Sequence, residues 1–154
     1  MTTQIDSRGP QLNAAVTAVV LATVLATAPS FFATILLAVQ AALFAIGALL
    51  GVQRTPHSWV FRTLVRPRLT KAPEWEDPAP PRFAQSVGLG FALVALAGLL
   101  SGVTVLGLVA TGLALTAALL NAVFRFCLGC ELYLLIRRIT STSGPVAAGR
   151  SATN

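Results

Sequence analysis

The two cysteines of this 154-residue chain stand three positions apart, as Cys127-Leu128-Gly129-Cys130, with Arg125 before them and Glu131 after. Positions i and i+3 of a helical turn bring Cα atoms within the reach of a disulfide, so the pair is suited to thiol–disulfide exchange. A cysteine at a helix N-terminus has its thiolate favoured by the helix dipole, and Arg125 adds positive charge two residues earlier. Glu131, at i+4 from Cys127, is spaced to accept its proton. Gly129 leaves room for a partner to approach.

The same spacing admits two other chemistries. One C-x-x-C supplies two thiolates, whereas a structural zinc or an iron–sulfur cluster takes four ligands. The single histidine, His57, falls on the same expected side, and a homo-oligomer would pool two motifs. The rest of a four-ligand pattern is missing, so no metal and no cofactor are expected. In the remaining reading both cysteines are small, soft packing residues at a helix contact, and Glu131 forms an ion pair with Arg138 or a loop arginine.

What must position these residues is a membrane scaffold. The chain is 55% hydrophobic and 10% charged, where a globular protein carries about a quarter charged residues. Its apolar residues fall in blocks close to the ~20 needed to cross a bilayer. Spans are expected at 11–28, 31–52, 82–100 and 104–125, with tight turns at Pro29-Ser30 and Ser101-Gly102. The polar N-terminal segment 1–10 reads as the flank of a retained first helix. The central loop 53–81 is rich in arginine and proline, and Lys71 to Pro81 holds too many prolines to read as helix. Thr55-Pro56 reads as a cap opening a short interfacial helix. Residues 140–154 form a Ser/Thr/Gly/Ala tail expected to be disordered.

The net charge of +6 is no nucleic-acid footprint, because no aromatic residues interleave with the basic ones as a stacking platform needs. The eleven Lys and Arg lie in the termini and in the central loop or at its boundaries, and the two tight turns have none. Both termini and the loop are therefore expected on the cytoplasmic side of the cell membrane, with Arg66, Arg68, Arg137 and Arg138 anchoring lipid headgroups. The interior is chemically poor: Asn13, Gln40 and Asn121 are its carboxamides, and no ionisable group sits mid-span. That argues against a proton-coupled carrier.

Shifting the chain by 71 residues superposes Asp6 on Asp77, Pro10 on Pro81, Arg54 on Arg125 and Arg66 on Arg137. Two parallel repeats, 6–68 and 77–139, are expected within a membrane domain at 11–138, each a hairpin followed by an amphipathic segment. Under the same shift Pro56 falls on Cys127, which would make Cys127 the start of a separate helix; one continuous helix from Thr104 to Arg138 is equally compatible with propensity. Small residues mark the expected helix contacts: Gly47 and Gly51; Ala84, Gly88 and Ala92; Ala110, Ala114, Ala118 and Ala122.

Taken together, Val65-Arg66-Pro67-Arg68, Asp77-x-x-Pro80-Pro81-Arg82-Phe83-Ala84-Gln85 and Phe126-Cys127-Leu128-Gly129-Cys130-Glu131 resemble a bacterial integral-membrane family, domain-of-unknown-function family 4395, well represented in actinobacteria. The resemblance implies a small membrane protein with a C-x-x-C and no established activity. It also implies a thioredoxin-like or sulfurtransferase protein partner, since members tend to lie near such proteins. The expectation is an all-α protein of four transmembrane helices, a thiol–disulfide or sulfur relay using Cys127 and Cys130. A structural or accessory subunit is the alternative, and an anion channel formed by oligomers a third.

Overall fold

A backbone in hydrocarbon must satisfy its own N–H and C=O groups, and runs of Leu, Ala and Val do so as helix. Four such helices form: α1 (Arg8–Thr27), α2 (Phe31–Leu50), α4 (Ala79–Leu100) and α5 (Thr104–Phe124). At 20 to 22 residues each is long and apolar enough to cross a membrane, about 30 Å at 1.5 Å per residue. Two shorter elements join them, α3 (Pro56–Val60), continued by a π turn over Phe61–Val65, and α6 (Leu128–Ser141). These are the elements of a computed structural model that describes residues 5, 6, 8–65 and 75–141; Arg66, Arg68, Lys71 and the tail beyond Ser141 lie outside the described residues, as does the side chain of His57.

The four long helices close a ring in which α1 packs on α2 and α5, and α4 packs on α2 and α5. Leu21 and Val24 of α1, Leu37 and Phe44 of α2, Ala92 and Ala95 of α4 and Ala110 and Ala114 of α5 make the core. The outer faces carry Val19, Phe31, Leu49, Leu100 and Val105, all well exposed. An apolar belt of that extent, on helices long enough to span a membrane, is suited to contact with lipid.

Two side chains tie the ring across its halves. Arg82, in the first turn of α4, donates from Nε to the Ala48 carbonyl (2.6 Å) and from Nη2 to the Leu49 carbonyl (2.8 Å). Gln11, in the first turn of α1, donates from Nε2 to the Ala122 carbonyl at 2.9 Å. The last four carbonyls of a helix have no partner in their own helix, and neither α2 nor α5 has a basic residue in its last turn. The first helix of each half therefore supplies the second helix of the other. Gln11 and Arg82 are 71 positions apart, the separation of the expected repeat.

Several expectations need correction. The helix expected from Arg82 begins at Ala79, because Pro80 and Pro81 fall in the first turn, where a missing N–H costs nothing. Ile5–Asp6, in the segment read only as a polar flank of the first helix, pairs antiparallel with Trp75–Glu76. Thr140 and Ser141, assigned to the disordered tail, close α6. Gly51 is no packing contact: at φ +94° it ends α2 with open space around it. Gly47 does make a contact, against the Gln85 side chain.

The tightest approach is between α4 and α5, where a Cβ on Gly98 would stand 2.6 Å from the Gly107 backbone nitrogen. Backbone cannot yield as a side chain can. Gly98→Ala should therefore lower stability by about 1–3 kcal/mol. Gly112→Ala, in the same hairpin but with nothing within 4 Å, should be neutral or stabilising. Thermal unfolding of the two variants in detergent checks the pair; equal midpoints would show that the hairpin is not so closely packed.

Candidate functional site

The continuous helix from Thr104 to Arg138 does not form. α5 ends at Phe124, and Arg125 adopts a left-handed conformation (φ 57°) with its N–H on the Asn121 carbonyl at 3.1 Å. This is the αL helix stop, here made without glycine. The Phe126 N–H reaches back to the Leu120 carbonyl at 3.3 Å, so the chain leaves the helix axis within two residues.

Cys127 then opens α6. Its carbonyl accepts from the Glu131 N–H at 3.0 Å, and its Sγ accepts from the Cys130 N–H at 3.3 Å. Sulfur takes the place that a Ser or Thr oxygen holds in an ordinary N-cap. Thr55 does the same at α3, with Oγ1 accepting from the Ser58 N–H at 3.4 Å. Cys127 and Cys130 are joined as a disulfide, with Cα atoms 5.2 Å apart.

The direction of α6 is set by packing on α4. A Cβ on Gly129 would lie 2.7 Å from both Cα and Cβ of Ala84, so only glycine fits that crossing. One turn further on, Tyr133 stacks against Phe83 (ring centroids 5.7 Å apart), and the Arg137 guanidinium lies 5.9 Å from the Tyr133 ring centre. Leu128, Leu132, Leu135, Ile136 and Ile139 form an exposed apolar stripe on the same helix. That is the pattern of a helix lying along a membrane surface.

Two cavities meet at the disulfide. The outer one, about 360 Å³, is bordered by Arg8, Asp77, Arg125 and Glu131 together with both cysteines. Two cationic and two anionic side chains thus surround the sulfur pair. The inner one, about 470 Å³, runs from Cys127 down between α1, α4 and α5 to Thr17 and Phe44. Cys127 borders both cavities; Cys130 borders the outer one only. All four residues singled out from the sequence, Cys127, Cys130, Glu131 and Arg125, are brought to one place. Among the described residues, no three His, Cys, Asp or Glu side chains gather as metal ligands would.

The sequence reading missed part of this. Gln85 was passed over as a carboxamide of the interior, yet it lines the inner cavity with Asn13 and Asn121. Its signal was present: a polar residue one turn after Pro81, on the face where Ala84 and Gly88 clear space. Gln40 faces elsewhere, 1% exposed, with Nε2 on Thr17 Oγ1 at 3.3 Å and Oε1 unpartnered among the described residues.

Four helices of membrane-crossing length, with a disulfide capping an amphipathic helix at one end of their ring, define a small all-α protein of membrane type. The chain belongs to the family described as Domain of unknown function (DUF4395), whose match covers residues 5–138. No curated protein and no solved structure matches it.

Because sulfur caps α6, the two ways of removing Cys127 should differ. Cys127→Ser keeps an acceptor at the cap, whereas Cys127→Ala leaves the Cys130 N–H without one, at a cost of about 1 kcal/mol. Neither variant can form the disulfide, so the comparison isolates the cap. Amide hydrogen exchange over the first turn of α6 should be faster in Cys127→Ala than in Cys127→Ser. Equal rates would remove the capping role.

Proposed function

We propose that this protein is a membrane-embedded thiol–disulfide relay, with Cys127 and Cys130 as its redox pair and a thioredoxin-like or sulfurtransferase protein as its partner. The observation that carries the reading is the disulfide's position between a charged outer cavity and the bundle interior. A structural disulfide would have no need of an approach from either side.

The exchange is read from the residues that border each cavity, Cys130 the outer one and Cys127 both. A partner thiolate attacks Cys130 Sγ, the Cys127–Cys130 bond breaks, and Cys127 leaves as a thiolate. That anion is held at the N-terminus of α6, where the Cys130 N–H and the helix dipole stabilise it, which makes it the better leaving group. A second partner thiol then attacks the mixed disulfide and releases Cys130. The partner dithiol becomes a disulfide, and two electrons and two protons pass to Cys127 and Cys130. Glu131 is placed to take up a proton and Arg125 to favour the thiolate.

We further infer that the two halves are parallel repeats. The reciprocal bonds of Gln11 and Arg82, 71 positions apart, support this, as does a short capped helix after each hairpin, although the caps at Thr55 and Cys127 lie one position out of that register. The eleven basic residues favour an orientation with both termini, the central loop and the disulfide on the cytoplasmic side of the cell membrane. Cytoplasmic thiols are kept reduced, so the pair would cycle rather than rest oxidised.

One observation favours the alternative of a non-catalytic accessory subunit. Cys127 caps α6 and Gly129 seats it on Ala84, so the motif also has a purely architectural use. The accessory role predicts that the sulfurs never exchange.

Alkylation of intact membranes with a bulky maleimide, before and after reductant, separates the two. A relay should label at both cysteines after reduction and less before it. In Cys127→Ser, the remaining Cys130 should trap its partner as a mixed disulfide that reductant releases. A double serine variant that keeps every partner contact and phenotype, with no trapped species in the single variant, would falsify the relay.

A further inference from the structure

The inner cavity has a wall chemistry that the relay does not by itself require. We propose that it is a binding site for a lipid-soluble quinone, which accepts the two electrons that Cys127 and Cys130 collect; this rests on the thiol–disulfide reading and names the relay's second substrate.

Four observations carry the assignment. Cys127 lines the cavity, so a ring held at that end lies beside the redox pair. Its volume of about 470 Å³ falls within the ~300–1,000 Å³ of small-molecule sites. Its wall is mostly alanine, glycine, leucine and phenylalanine, with no acidic or basic side chain among the residues that line it. That disfavours nucleotide cofactors, whose phosphates call for cationic partners or a helix N-terminus.

The fourth observation is the carboxamides. Asn13, Gln85 and Asn121 border the cavity, half-buried, and their side chains make no hydrogen bond to another described residue. A carboxamide bordering an apolar cavity offers both a donor and an acceptor to a ligand held there. An acyl chain has nothing to offer an amide. A quinone carbonyl accepts from an amide N–H, and the quinol O–H donates to an amide oxygen. Carboxamides thus suit both redox states with no change of charge in the wall.

The step balances. Reduced Cys127 and Cys130 lose two electrons and two protons and form their S–S bond. The two quinone carbonyl oxygens gain both and become hydroxyls. Protons have a route at the outer cavity, where Glu131 and Asp77 stand beside the sulfurs.

The test uses the full-length protein in detergent and a benzoquinone with a ten-carbon tail, beside a tail-matched alkylbenzene that lacks the carbonyls. Binding is read as a thermal shift on the Cys127→Ser/Cys130→Ser protein, which cannot transfer electrons. The quinone should raise its midpoint and the alkylbenzene should not. Electron transfer is read on anaerobically reduced wild type, where one quinol should appear for each pair of thiols lost. Ala118→Phe, which fills the cavity, and Asn121→Leu, which removes an amide, should each slow that reaction by at least about tenfold. The second variant guards against misfolding of the first. An equal shift from the alkylbenzene overturns the quinone site, as does unchanged oxidation in both variants, and either result leaves partner exchange standing. A quinone-specific shift without thiol oxidation in wild type overturns the electron transfer. Loss of partner trapping with the quinone shift intact overturns the relay alone.

Discussion

The ends of α2 and α5 face a problem that water would solve for a soluble helix. Their last carbonyls point out of an apolar ring, with no basic residue of their own to meet them. Arg82 and Gln11 answer it from the opposite half of the molecule. An N-terminal first turn is thereby set beside a C-terminal last turn on both sides of the ring, which also pairs opposite helix dipole ends. These bonds fasten the ends of α1 to α5 and of α4 to α2, pairs that also pack along their lengths, and the space between α1, α4 and α5 lies within that frame.

That space takes its outer wall from the start of α6, which would be lost if α5 ran on. Arg125 interrupts it in a left-handed conformation, which costs a residue with a Cβ about 1 kcal/mol or more. The interruption is offset by what it permits. Two backbone N–H groups return to α5 carbonyls, sulfur caps α6, and Gly129 lets α6 lie against Ala84 at backbone distance. The disulfide ends up at the start of α6, bordering the outer cavity.

The halves are alike in their caps and unlike in their chemistry. Thr55 caps α3 and Cys127 caps α6, one position out of the 71-residue register, and only the second carries sulfur. At α3 the buried Phe61 lies against Gly9 of α1; at α6 the matching region holds the inner cavity and its carboxamides. That difference is the physical basis of the proposed relay.

Composition and apolar run length by themselves determined the four long helices and their tight turns, because those are set by local burial and by the lack of alternatives for a backbone in hydrocarbon. The 71-residue correspondence is a property of the sequence itself, in which Asp6, Pro10 and Arg54 fall on Asp77, Pro81 and Arg125. The grouping of Arg125, Cys127, Cys130 and Glu131 came with their closeness in sequence. The break before Cys127 was not decided there, since helix propensity alone balances a continuous helix against a stop. Tertiary structure decided it: Gly129 against Ala84 and Tyr133 against Phe83 reward a change of direction that no local preference demands. Long-range contact also decided the bonds of Gln11 and Arg82, the strand pair of Ile5–Asp6 with Trp75–Glu76, and the meeting of Asn13, Gln85 and Asn121 around one cavity. These join residues from distant parts of the chain, and no periodicity within a single helix specifies which neighbour it will face.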